Sequence, residues 1–287
     1  MPRLERLSEI FTASIEADAE PENFVVRLED ILKEAAADGA VLVEVRFGGA
    51  TALLQPHFLA YSYEAARRVR ERHPALYAEA LYTLLMEDEP ARLERVVAAC
   101  IEAGQQGLSG IDLLYNPYAA QADWRAMYRV AGRCADAGLG ITAHAGEFAT
   151  ATIVAALQTP GLTRLGHAVY AASDPLVLDL VAKSGVTVEC SLTCNVVLGA
   201  VRSYKEHPIR EFVEAGAPVA LCTDNPVQLC TTIGHEYALA AALDFQPADL
   251  LNVTTNAIRA RVASPKRKAL FLTKLAVHKS AGSQALP

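Results

Sequence analysis

The stretch Leu139–Glu147 reads LGITAHAGE, and the fold follows from how it is divided. Its first part, the strand-like run Leu139–His144 (LGITAH), is apolar up to its last residue and carries Ile141 and Thr142, β-branched residues that suit a strand buried on both faces. It then turns polar, with His144 and Glu147 at its end. Gly138 stands just before it and closes the helical pattern Gln121–Ala137, since glycine past a helix end takes the left-handed conformation that satisfies the last carbonyls. Helix, glycine, short apolar strand and polar end make one unit of an alternating α/β chain.

Outward from this stretch the unit recurs. Strand-like runs occupy Ala40–Phe47 (AVLVEVRF), part of Ala75–Met86, Leu108–Leu114 (LSGIDLL), Leu162–Ala168 (LTRLGHA), Val186–Ser191 (VTVECS) and Pro218–Thr223 (PVALCT). Helical patterns lie between them at Glu89–Ala103, Ala149–Gln158, Pro175–Ser184 and His207–Ala215, and Gly185 and Gly216 repeat the role of Gly138. Apolar strands alternating with helices imply a parallel sheet covered by helices. The expected architecture is a TIM-type (β/α) barrel that is incomplete, with seven strands, and with extra helices at both termini. Residues 1–39 read as helix only, 5–17 and 22–37 with a break at Ala19–Glu22. Residues 236–279 read as C-terminal helices with a frayed tail after Lys279. A barrel of this length is ordinarily one domain, so 1–287 is taken as a single unit. Seven strands leave two unpaired edges, which invite another chain. A loop or helix, with residues 1–20 as the local candidate, or a homo-oligomer is expected to cover them.

Composition narrows the function. The chain has 287 residues, 52% of them hydrophobic, and a net charge of −7. Holding nucleic acid through its phosphates needs a basic surface, so that class is set aside. Met1–Phe11 lacks the uninterrupted apolar stretch of a signal peptide, and no run of about eighteen apolar residues predicts a membrane span. The six cysteines form no C-x-x-C and read as reduced thiols of a cytoplasmic protein. Dinucleotide (G-x-G-x-x-G), P-loop and G-x-S-x-G signatures are lacking, as is the H-x-E with P-C-x-x-C of cytidine-type deaminases.

The polar residues that a core does not need lie at the carboxyl ends of consecutive strands: His144 and Glu147, then His167, then Ser191 to Asn195, then Asp224 and Asn225. In a (β/α) barrel that rim carries the active site. Each residue has a plainer use. A lone His can pack or cap, Asp224 before Asn225-Pro226 can open a turn, and Glu147 can cap a helix near Ala149. Gathered on one rim they read as a site. Imidazole and carboxylate suit zinc or a similar ion, which lowers the pKa of bound water, and a second carboxyl and imidazole then remain for proton transfer. Residue types alone support metal-assisted hydrolysis without naming a substrate. Cys194 and Asn195 are read as a loop that either lines the pocket or simply packs. His57, His73, His207 and His278 are given no role.

HAGE at 144–147, RLGHA at 164–168, CSLTCNVVLGA at 190–200, HPI at 207–209 and TDNP at 223–226, with VEVRF at 43–47, resemble the adenosine deaminase family in order and spacing. The resemblance implies a hydrolytic deaminase of adenosine, adenine or a related 6-aminopurine, with water adding at C6 and ammonia leaving. It implies one divalent metal, zinc, held by His144 and Asp224, with Glu147, His167 and Asp224 catalytic. Glu147 would share a proton with purine N1, and His167 would orient and deprotonate the water. Gly146 and Asn225 would contact the substrate, Asn225 at N7. The implied partner is a small-molecule purine.

Three departures stand out. No His precedes His57 and no H-x-H occurs, whereas the family's opening strand carries a His-x-His pair of metal ligands. Asp224-Asn225 stands where Asp-Asp is usual, an exchange that keeps a donor for N7. Tyr115-Asn116-Pro117 stands where many members have Gly-Asp-Glu. Two readings stay open: a shortened form of an active enzyme, or a diverged homologue acting as a binding or interaction protein.

Overall fold

The computed structural model describes residues 21–48, 58–115, 124–260 and 265–283. Seven strands, β1 (Leu42–Gly48), β2 (Tyr77–Leu85), β3 (Gly110–Leu114), β4 (Gly140–Ala145), β5 (Leu162–His167), β6 (Thr187–Cys190) and β7 (Val219–Leu221), form one all-parallel sheet in chain order. The sheet curls into an open (β/α) barrel with helices around it. All seven expected strands are present, with ends shifted by no more than two residues. The expected helix at 5–17 and the candidate plug at 1–20 lie outside the described residues.

Local sequence explains the helices between strands. In Pro90–Gln106 the buried side chains Leu93, Val96, Val97, Cys100 and Ala103 recur at helical spacing and turn one stripe to the sheet. Each fully buried aliphatic side chain there contributes about 1.5–3 kcal/mol relative to exposure. Pro175–Ser184 starts with Asp174, whose side chain accepts from the Leu176 amide at 2.9 Å, and stops at Gly185 with φ +70°. A cap of this kind is worth ~1 kcal/mol. The C-terminal region consists of three helices, Ile233–Ala242, Pro247–Ala260 and Pro265–Ser283. The last continues past Lys279, where a frayed tail was expected.

These helices bear on the open edge. Pro247–Ala260 packs on β7, and Asn256 donates from Nδ2 to the Val219 carbonyl at 3.1 Å, satisfying a strand-edge acceptor. Pro265–Ser283 reaches the start of β2: Phe271 is buried edge-on against Tyr77, and Arg267 pairs with Glu79 at 2.7 Å. A helical covering of the β7 edge is therefore present, supplied by the C-terminal helices.

The barrel interior holds charges. Arg46 on β1 spans to Glu189 on β6, and its Nε stands 3.9 Å from Asp112 on β3. Arg164 on β5 bonds Glu189 at 3.0 Å and also pairs with Glu44 on β1. Strand alternation aims Glu44 and Arg46 to one side and Val43, Val45 and Phe47 to the other, where the latter join the apolar core. The Arg46–Glu189 and Glu44–Arg164 pairs thus tie the first strand to β5 and β6 across the interior.

Candidate active site

The chain leaves β4 through His144 into a turn at Gly146, with φ +70°. A Cβ on Gly146 would sit 2.5 Å from Ile153 Cδ1 and 3.1 Å from Ala168 Cα, so only glycine fits without movement. The Gly146 amide donates to Thr152 Oγ1 at 3.0 Å, and its carbonyl accepts from the Tyr170 amide at 2.8 Å. Tyr115, one of the departures above, backs this turn through a 3.2 Å hydrogen bond with Thr152 and packs against Trp124. Asn116 and Pro117 lie outside the described residues. His167, Ala168 and Asp224 adopt φ of +66°, +50° and +58°, values uncommon for residues with a Cβ. Such conformations cost ~1–3 kcal/mol each and gather at functional sites.

His144, Glu147, His167 and Asp224 meet on the carboxyl rim of β4, β5 and β7. The His144 and His167 rings are 5.1 Å apart between centroids. His167 Nε2 stands 3.8 Å from Glu147 Oε2 and 3.9 Å from Asp224 Oδ2. Glu147 is mostly buried, and among the described residues its Oε1 has no hydrogen-bond partner. Burial raises its pKa above the ordinary carboxylate value, with Asp224 adding to the effect and His167 opposing it. A carboxyl that keeps its proton easily suits an acid facing a ring nitrogen. Asp224 accepts from Cys194 Sγ at 2.8 Å and from Asn225 Nδ2 at 2.6 Å. The Cys194 thiol is itself held well above its usual pKa by burial, then by Asp224, so it stays a donor.

Behind His144 lies Asp112, fully buried in the middle of GIDLL. Its Oδ2 is 2.9 Å from His144 Nδ1, and its Oδ1 accepts from Thr142 Oγ1 at 2.6 Å. This carboxylate–imidazole contact leaves Nε2 as the nitrogen His144 offers to the rim. Burial opposes charge on His144, yet Asp112 outweighs it and raises the His144 pKa. Burial likewise opposes charge on Asp112, yet His144 and Arg46 hold it far below the usual carboxylate range.

Asn195 and Cys194 lie in a short helix, Leu192–Val197, where a loop was expected. Asn195 is fully buried and touches His167 Nδ1 at 3.1 Å. His207, which was given no role, is buried and contacts the far side of Asn195 at 3.1 Å. His57 and the side chain of His278 lie outside the described residues. Asp112 was overlooked as well, although one acid inside an otherwise apolar strand is a signal that sequence can carry.

A zinc site needs about three protein ligands besides water. Among the described residues no group of three or more His, Cys, Asp or Glu stands so as to hold a metal ion. His144 and Asp224 are two donors of suitable chemistry, and Asp224 already accepts two hydrogen bonds. The described residues by themselves do not fit a zinc ion. No described helix is long and apolar enough to cross a membrane.

A family model described as adenosine deaminase matches residues 2–277. Adenosine deaminase of Shewanella loihica is 40% identical over 142 residues, which are 48% of this chain and 43% of that protein. The chain thus matches less than half the length of this curated relative. Among solved structures, the N6-methyl-AMP deaminase of Arabidopsis thaliana has a TM-score of 0.79 at 22% identity, covering 90% of this chain and 79% of the other. A zinc-bound amidohydrolase of Burkhoderia ambifaria has a TM-score of 0.78 at 19% identity, covering 92% and 75%.

Proposed function

The chain belongs to the adenosine deaminase family, and from that premise we propose that its rim site takes a 6-aminopurine and is built to remove the exocyclic amine hydrolytically. The observation that carries this reading is the buried Glu147 carboxyl, raised in pKa, beside His167 and Asp224 on one rim. In the reaction the oxygen of water bonds to C6, the C6–N bond breaks, and the amine leaves as ammonia. Glu147 shares its proton with ring N1 as the water adds. His167, whose Nε2 faces both carboxylates, orients that water, and the proton the water loses passes to the Asp224 carboxylate and on to the departing amine. Gly146 and Asn225 flank the acids against the ring, Asn225 donating to N7. Adenosine, adenine and N6-substituted relatives all present this chemistry. A divalent metal would need ligands beyond His144 and Asp224, and none of these steps runs through one.

That shortage of ligands favours a second reading, a purine-binding or interaction protein on the same scaffold. Pairing of a second copy along the β1 edge belongs to this reading. Zinc and iron per chain, measured on protein purified without chelators or affinity-tag metal, come first. Ammonia release and calorimetric binding follow, with adenosine, adenine and N6-methyl-AMP, before and after added zinc. Metal near one per chain with ammonia release supports the hydrolase. Purine binding that Glu147→Ala abolishes, without metal or turnover, supports the second reading. Failure of every aminopurine to bind, with or without zinc, overturns the purine site.

A further inference from the structure

Three buried side chains behind the rim form a directed chain of hydrogen bonds that begins on the backbone. The Ile209 amide donates to His207 Nδ1 at 3.2 Å. A backbone N–H only donates, so His207 Nδ1 accepts, and the neutral ring carries its proton on Nε2. That Nε2 is 3.1 Å from Asn195 Oδ1 and donates to it. The amide orientation follows, since the reverse would set an NH₂ against an N–H in a buried place. Asn195 Nδ2 then donates to His167 Nδ1 at 3.1 Å. Asn195 is fully buried, and His167 and His207 are 4% and 5% exposed, so bulk water offers no alternative partners. Burial, with His167 nearby, also pushes the His207 pKa down to about 3, which keeps that ring neutral and the direction of the chain unchanged.

We infer that His207 and Asn195 are positioning residues that hold the ring proton of His167 on Nε2, so that His167 meets the rim as a hydrogen-bond donor. Its Nε2–H faces Glu147 Oε2 at 3.8 Å and Asp224 Oδ2 at 3.9 Å. Both spacings exceed a direct hydrogen bond, and a single oxygen atom between the groups can bond to all three. That this oxygen is the attacking water rests on the purine-hydrolase reading; the tautomer does not. In this tautomer the ring grips a lone pair of the oxygen. Its Nε2 already carries a proton and takes none from the water, so the ring orients and does not deprotonate. His207 lies in HPI and Asn195 in SLTCN, and neither touches the candidate ligands directly.

Nitrogen-15 NMR of histidine-labelled, ligand-free protein tests this, because protonated and unprotonated imidazole nitrogens resonate apart. Spectra are taken at mildly alkaline pH and are assigned with His167→Gln and His207→Gln. The expected pattern is Nε2–H with a bare Nδ1 for both His167 and His207. In Asn195→Asp the new carboxylate can only accept, so the His167 proton is expected to move to Nδ1. Wild-type His167 protonated on Nδ1 overturns the inference, as does an Asn195→Asp protein in which His167 stays on Nε2. Should Asn195→Asp fail to fold, the wild-type spectrum decides. No purine or metal is present in these samples, so the result stands apart from whether the site binds or converts purines.

Discussion

Replacing Arg46 with Met should destabilise the protein by about 3–5 kcal/mol, the cost of removing one partner from a buried ion pair. Arg46 is a quarter exposed, but what it leaves behind is not: the Glu189 and Asp112 side chains are 7% and 1% exposed. Glu189 would keep Arg164 at 3.0 Å, and Asp112 would keep His144 and Thr142, so the lower part of the range is expected. The loss includes a hydrogen bond to Thr142 Oγ1 at 3.4 Å, a long contact of small weight. The same change cuts one of the two interior ties between β1 and the far strands, the other being Glu44–Arg164. Urea unfolding followed by circular dichroism reads the effect. With a slope of ~3 kcal/mol/M, the midpoint falls by ~1 M or more. The double variant Arg46→Met with Glu189→Met should recover part of the loss, because neither charge is then buried alone and Arg164 retains Glu44. A loss below ~1 kcal/mol for Arg46→Met, the scale of an exposed pair, would refute the claim that this network holds the open barrel together.

Gly146→Ala should cost about 2–4 kcal/mol, combining a left-handed φ with a Cβ driven into Ile153 and Ala168, and a thermal melt equal to wild type would refute that account of the turn. Glu147→Gln should melt higher than wild type at neutral pH, since burial disfavours the ionised acid, and should lose any ammonia release by ~10²-fold or more; a lower melting point would contradict the raised pKa. His207 is neutral in the fold down to a pKa of about 3, against 6.5 when unfolded, so below pH 6.5 the unfolded chain alone takes up this proton. Stability from this group is complete above pH 6.5 and falls as pH drops toward 3, by ~1.4 kcal/mol per unit. His207→Gln should therefore lose ~2 kcal/mol less than wild type between pH 7 and pH 5 in urea titrations, and equal losses would show that His207 is not buried as described.

Much of the architecture was legible in the residues because it is local. LGITAH, LTRLGHA and VTVECS each name a strand through β-branched apolar content, and Gly138, Gly185 and Gly216 end the preceding helices with positive φ. The rim could be read for the same reason: in a parallel barrel every strand runs in one direction, so a polar residue at a strand's end must lie at the mouth. That argument placed His144, Glu147, His167 and Asp224 together before any contact was known. Local patterns do not say which polar groups meet. Asp112 finds His144 across 32 positions, Asn195 finds His167 across 28, and Arg46 finds Glu189 across 143. An acid inside an apolar strand, a histidine after a glutamate or an asparagine after a cysteine carries no mark of its partner, because hydrogen bonds and ion pairs form over about 3 Å and depend on how strands curl. The sequence by itself determined the elements and the rim, which follow from periodicity and direction. Only the tertiary structure decided the orientation of His144 by Asp112, the ties of β1 across the interior and the line from Ile209 to His167, since each depends on atoms brought into contact by closure of the sheet.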